Sequence, residues 1–339
     1  MAQAQNYRPS QDVAVYYQVE ATPGVQPDDA GLKKLQATSF SIPEASVPVE
    51  YSSSRSGQFV TTASQGHHAE GTKLWTFDTT LRGTPDSVLL ATLGVFEDGS
   101  SEAVLNNNYA FPIASYRVDS PSSCNTFDIA FENAGAKDSF ETIRCGGCVA
   151  TGFSLTEDIG SEGGELVCTI NWATGFNPTH SGDDLSSKAF DTGTPKNIRS
   201  LAAGSTYVND GSAEELVVSS WELNVTRTIE RVHYSGTTSG VFAPFGYVQT
   251  GAFEVTGSLN VIRNEDVYDI HDSGRFRDSN TVAINIAESS NFAVAIPTAF
   301  INEPTVDNGG PVLMETIPFT VVGADDISSA SKMLGITIA

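Results

Sequence analysis

The sequence predicts a mainly β protein: a β-sandwich or barrel, duplicated within the chain, with long loops and at most one short helix per fold. Three observations carry that reading. Short segments alternate apolar and polar residues with a period of two, the pattern of half-buried antiparallel strands. Gly, Ser and Asn punctuate them as turns. A long polar loop running into an amphipathic strand also occurs twice, at 50–83 and again from 234.

Taken in order, residues 1–39 read as an N-terminal arm, because ATPGVQPDDAG breaks the chain between Val13, Tyr16, Tyr17 and Leu32-Lys33-Lys34-Leu35. A first β-domain is expected over 40–175. Phe40 and Ile42 open its first strand, and Pro43 ends that strand at a sheet edge. A Ser/Thr/Gly-rich loop then leads into a strand in which Trp75, Phe77 and Leu81 alternate with Leu74, Thr76, Asp78 and Thr80. Thr84 as N-cap, Pro85 at the first helical position, Asp86 against the dipole and Gly94 as the stop predict a helix over 85–93. Phe127, Ile129 and Phe131 form the next strand. A turn at Cys145-Gly-Gly-Cys148 separates it from Val149, Thr151, Phe153 and Leu155; Leu166, Cys168, Ile170 and Trp172 follow. Residues 176–215 lack sustained periodicity and read as a linker or insertion. A second β-domain is expected over 216–339, with strands at Trp221 to Val225, Phe253 to Val261, Val282 to Ile286, Phe292 to Ile296 and a last one in PVLMETIPFTVVG.

The internal repeat rests on specific matches. Tyr51 and Gly57 share an offset with Tyr234 and Gly240, and Gly66 and Gly71 with Gly246 and Gly251. Trp75 and Leu81 fall in phase with Val255 and Val261, and Leu166, Ile170 and Trp172 with Leu313, Ile317 and Phe319. The helix has a faint counterpart at Val267 to Ile270.

With 41 acidic against 18 basic residues, a net charge of −23 excludes gripping nucleic acid by phosphate neutralisation. A negative wall could still contain nucleic acid without holding it. No apolar run is long enough for a membrane-spanning helix, and the start lacks a basic-then-apolar leader, so the expectation is a protein made in a cytoplasm or released by lysis. Cys124, Cys145, Cys148 and Cys168 are candidates for a disulfide or a thiol cluster. Cys145-Gly-Gly-Cys148 has C-x-x-C spacing but lies between strand-like segments and not at the strand-to-helix junction a thioredoxin motif needs, and Cys124 and Cys168 are too scattered to be the second pair of a zinc site. No nucleophile elbow, P-loop, zincin, dinucleotide or EF-hand signature is present, so no catalytic residue, metal or cofactor is expected.

VYYQVEATPGVQP, the SRSGQ loop, and GTKLWTFDTTLRGTPDSVLLATLG together resemble the major tail protein of long-tailed bacteriophages, as do VTGSLNVIRNED, VAINI and METIPFTVVGADD. The resemblance implies a non-enzymatic virion subunit whose sheets join those of its neighbours into a hollow tube of stacked rings for genome ejection. Tape-measure and tail-terminator proteins would be partners, DNA would pass without specific binding, and assembly would take place in the host cytoplasm. Two folds per chain would build a ring from three subunits, one fold from six. The loops would reach the adjacent ring through Tyr51, Arg55, Gly57, Phe59, Gly66, Tyr234, Gly240 and Phe242. With Trp75, Phe77 and Val255 in the core, Thr76, Asp78, Thr80, Glu254, Thr256, Ser258 and Asn260 would face the lumen. The rival reading is a β-sandwich binding module of carbohydrate-binding or adhesin type, which needs an exposed aromatic platform.

Overall fold

The computed structural model describes residues 13–20, 28–43, 49–51, 66–68, 74–95, 116–117, 126–133, 141–160, 162–198, 201, 206–209, 213–232, 246–250, 254–272, 281–287, 292–322 and 334–338. The chain is mainly β. In the first part run β1 (Val13–Val19), β2 (Lys33–Lys34), β3 (Ala37–Phe40), β4 (Val49–Tyr51), β5 (Gly66–His68), β6 (Trp75–Arg82), helix α1 (Pro85–Val95), β7 (Tyr116–Arg117), β8 (Phe127–Asn133), β9 (Glu141–Asp158), β10 (Val167–Thr174), β11 (Thr179–Ser181) and β12 (Ala189–Phe190). Then follow β13 (Tyr207–Asn209), β14 (Ala213–Glu215), β15 (Val218–Thr226), β16 (Ile229–Val232), β17 (Gly246–Gln249), β18 (Glu254–Ile262), α2 (Glu265–Asp272), β19 (Val282–Ala287), β20 (Phe292–Ile301), β21 (Thr305–Asp307), β22 (Met314–Val321) and β23 (Gly335–Ile338).

One pairing scheme occurs twice. In the first half the ladders run β2–β1–β8–β9 and β9–β10–β6–β3. In the second they run β14–β13–β19–β20 and β20–β22–β18–β15, with β21 continuing β20 along β22. The registers agree as well: Leu81 faces Cys168 where Val261 faces Glu315, and Phe77 faces Trp172 where Gly257 faces Phe319. The halves meet when β9 accepts β15 on its free edge, Leu155 opposite Leu223 and Gly152 opposite Thr226. Two glycines in this region leave no room for a Cβ. One at Gly152 would sit 2.3 Å from the Val225 carbonyl, and one at Gly257 would sit 2.4 Å from both the Glu222 carbonyl and the Phe319 ring.

Alternation puts the apolar faces inward. Phe77 packs edge-on against Phe131, as Phe127 does against Trp172, and Trp221 stacks on Phe292. Val15, Phe77, Phe153, Trp221, Leu259 and Ile296 belong to one buried cluster that spans both halves. Trp75, Trp172 and Trp221 are all buried. Among the described residues no helix is long and apolar enough to cross a membrane.

Several expectations need correction. Cys145-Gly-Gly-Cys148 is not a turn but lies inside the 18-residue strand β9. The register slips there, with Phe127 opposite Cys148 and Ile129 opposite Cys145, and Gly147 takes φ 62°. This is a bulge whose extra residue needs a left-handed backbone, and it turns one strand from the β8 layer into the β10 layer. Helix α1 does not stop at Gly94 but runs to Val95; a Cβ on Gly94 would come within 2.9 Å of the Ala150 Cβ, so the glycine serves close packing. The faint counterpart is a full helix, α2, capped by Asn264, which accepts the Val267 N–H at 3.1 Å.

The arm at 1–39 contributes a central ladder, since β1 pairs with β8 along its whole length. The expected linker 176–215 contains β11 to β14. It is held by side-chain and backbone bonds that leave no periodicity in the sequence: Leu185 N–H donates to Glu132, Thr142 to the Asp183 carbonyl, and Gln36 to the Asp191 and Gly193 carbonyls. A final strand, β23, pairs with β20 beyond the last expected one.

Candidate functional site: a polar sheet face with two open edges

The strand sequence β3–β6–β10–β9–β15–β18–β22–β21 makes one sheet that crosses both halves. Because side chains alternate across a strand, each strand sends every second residue to the face opposite the core. On β6 these are Thr76, Asp78, Thr80 and Arg82, while Trp75, Phe77, Thr79 and Leu81 are buried. On β18 they are Glu254, Thr256, Ser258 and Asn260, and Val255, Leu259 and Val261 are buried. All seven sequence candidates therefore lie on the wet side of a single sheet, exposed or half-buried.

The registers extend this face into continuous rows. Asp78 lies opposite Asn171, which lies opposite Gly152, which lies opposite Thr226 and so Glu254. One row along, Thr80, Thr169, Ser154, Asn224, Thr256 and Thr320 succeed one another. The next row holds Arg82, Val167, Thr156, Glu222, Ser258 and Pro318. Hydroxyls and amides dominate, with carboxylates at Asp78, Glu222 and Glu254, and Asp158 follows in the row beyond, opposite Ser220. Among the described residues of these rows the one cation is Arg82. Its guanidinium is held by Glu165 at 2.7 Å and by the Gln36 amide oxygen at 3.1 Å. The hydroxyls find partners on the face: Thr80 meets the Thr169 hydroxyl at 3.2 Å, and Ser41 donates to the Asp78 carboxylate at 2.5 Å.

The two expected loops leave the body in the same way. Tyr51 and Gly66 face each other at the last rung of the β4–β5 ladder, and Val232 faces Gly246 at the last rung of β16–β17. Arg55, Gly57, Phe59, Tyr234, Gly240 and Phe242 lie outside the described residues. The second hairpin is pinned to the bulge in β9. The buried Tyr247 hydroxyl donates to the Gly147 carbonyl and accepts the Gly175 N–H, both at 2.9 Å. Glu20 accepts the Gly147 N–H at 2.8 Å from the other side. Burial pushes the Tyr247 hydroxyl above its ordinary range.

Cys145, Cys148 and Cys168 are free and buried, and burial pushes each thiol well up. Cys148 donates to the Cys145 carbonyl at 3.0 Å, whereas Cys168 lies under α1 at 3.8 Å from the Ser87 carbonyl. Cys124 lies outside the described residues. No group of three or more His, Cys, Asp or Glu that could hold a metal occurs among the described residues.

Sequence reasoning missed Arg227, whose charge is buried at the junction of the halves, where it donates to the carbonyls of Gly94, Val95 and Ala150. It also missed the open edges. Among the described residues β3 pairs with β6 alone and β21 with β22 alone. Both edges carry exposed apolar side chains, Ile42 beside β3 and Val306 in β21. No family model matches the chain, and no curated protein matches it either.

Proposed function

We propose that this chain is a structural subunit of a bacteriophage tail tube, self-assembling into stacked rings whose lumen is lined by the polar sheet face. The observation that carries the reading is the face itself: one sheet, crossing both halves, whose described rows hold hydroxyls, amides and carboxylates with a single, already paired cation, Arg82. A wall of that chemistry repels phosphates and keeps its own water, so a nucleic acid passes along it without specific binding. Three chains, each with two repeats of the pairing scheme, would supply six sheet units to a ring. The loops beyond Tyr51 and Val232 would engage the next ring, and tape-measure and tail-terminator proteins would meet the ends. The subunit would have no catalytic role. The binding-module alternative calls for an exposed aromatic platform, and the three tryptophans are all buried.

Negative-stain electron microscopy of the purified protein tests the proposal. Rings or tubes of uniform bore are expected. A protein that stays monomeric at every concentration, with and without nucleating tail-tip components, would refute it.

A further inference from the structure

The internal junction shows how this sheet is extended. Ile159 donates its N–H to Ser219 and Arg227 donates its own to Thr151, so the odd-numbered residues of β9 and β15 form the hydrogen-bonded pairs. Leu155 and Leu223 are one such pair, and both are fully buried. The repeated registers carry this junction onto the two open edges. Through β6 and β18, Trp221 and Leu223 of β15 correspond to Phe40 and Ile42 beside β3. Through β10 and β22, Leu155 of β9 corresponds to Val306 of β21.

The counterparts of the buried Leu155–Leu223 pair are thus Val306 and Ile42, 44% and 40% exposed. The backbone agrees. The Ser41 N–H is spent on the Asp78 carbonyl at 3.0 Å, so the hydrogen-bonding groups of Phe40 and Ile42 turn to the open side. Pro43, with no N–H, has the parity of Ser41 and does not interrupt the outward row.

We infer that the β21 edge of one copy pairs antiparallel with the β3 edge of another, with Val306 opposite Ile42, Asp307 opposite Ser41 and Asn308 opposite Phe40. The occupant is a second copy of this chain, because the chain already joins these two kinds of edge to each other once within itself. Each copy offers one edge of each kind, so association runs head to tail and either closes a ring or continues as a filament. In the joint the wet face passes unbroken from one copy to the next. The inference rests on the tube-wall reading for its setting, whereas its register comes from the internal junction alone.

The test is a double variant, Ile42→Cys with Val306→Cys, oxidised in a Cys124→Ser background and run on a denaturing gel without reductant. Facing positions of an antiparallel pair bring Cα atoms within disulfide range. A ladder of covalent multimers is expected from the double variant, a covalent dimer and nothing larger from a mixture of the two single variants, and no cross-link from either single variant alone. Pairing Ile42→Cys with Asp307→Cys, which places the thiols on opposite faces, should give little. Tubes seen by microscopy without the ladder would overturn the joint and leave the tube reading standing. A ladder without tubes would support the joint and sink the tube. As a second readout, Ile42→Asp should leave the monomer's thermal unfolding unchanged and raise the concentration needed for assembly about tenfold or more; unchanged assembly would overturn the joint.

Discussion

Removing the Arg227 guanidinium tests whether the two halves are one cooperative body. Arg227 follows β15 and is only 5% exposed. Its Nε donates to the Ala150 carbonyl at 2.8 Å, and its two terminal nitrogens reach Gly94 at 2.8 Å and Val95 at 3.0 Å. Two of these acceptors are the last carbonyls of α1, which have no partner within the helix and carry the negative end of its dipole. A residue of the second half thus caps the helix of the first. Hydrogen bonds from a charged donor contribute about 1.5–3 kcal/mol each, and stranding a buried acceptor costs about 1–3 kcal/mol. The acceptors are close together and their losses do not add. Arg227→Met keeps the apolar stem and should therefore destabilise by about 3–5 kcal/mol. Urea unfolding followed by fluorescence reads this directly, because Trp172 packs beside Gly94 and reports on the helix, while Trp221 reports on the second half. Both signals should move to lower urea together. Arg227→Lys, with the charge but fewer donors, should fall between. A Met variant losing less than about 1 kcal/mol, or one in which only the second half shifts, would refute the reasoning.

Two further predictions concern the thiols and the loop. The folded-state values of Cys145, Cys148 and Cys168 lie above the unfolded thiol value, so the folded protein holds protons that the unfolded chain releases. Stability is then fully present below about pH 8.5 and falls as pH rises above it, by up to about 1.4 kcal/mol per pH unit for each thiol. Urea midpoints at pH 8 and pH 10 check this, and alkylation mapped by mass spectrometry should leave these three thiols unlabelled until unfolding. Deleting Ser52–Gln65 and joining Tyr51 to Gly66 through a short turn should preserve circular dichroism and thermal unfolding, since the Tyr51–Gly66 rung lies outside the deletion. Assembly by microscopy should be lost; loss of folding would instead make the loop part of the core.

The legibility of the chain follows from which interactions leave a periodic trace. Burial on one side of a strand does, and so Trp75 to Leu81 and Val255 to Val261 could be read with their wet partners. The one-residue shift that aligns Ile170 with Ile317 in the sequence is the shift the ladders impose, because both strands bury every second residue against the same neighbour. The bulge at Gly147 was opaque, since a glycine pair reads as a turn unless its neighbours are known. Here Glu20 and Tyr247, far away in sequence, hold it within a strand. The strands of 176–215 were opaque for a related reason: β11, β12, β13 and β14 are two or three residues long, too short for any period to show. Arg227 gave no signal either, because one cation among polar residues does not reveal that it ends up against a helix terminus.

The two kinds of joint need not be equally strong, and the side chains argue that they are not. The internal one buries Leu155 against Leu223, has the Trp221 indole donating to Glu157 beside it, and is closed at its end by Arg227. At the corresponding external positions stand Val306 and Ile42, then Asn308 and Phe40, smaller apolar surface without a matched donor and carboxylate. The internal joint also forms between segments of one chain, at a high effective concentration, whereas the external one must be made from separate molecules. An exposed edge that bound as tightly as the internal junction would pair as soon as chains met, in any order and register. A weaker edge lets misplaced copies dissociate, and the repeated geometry then selects the register in which the polar face continues without a step.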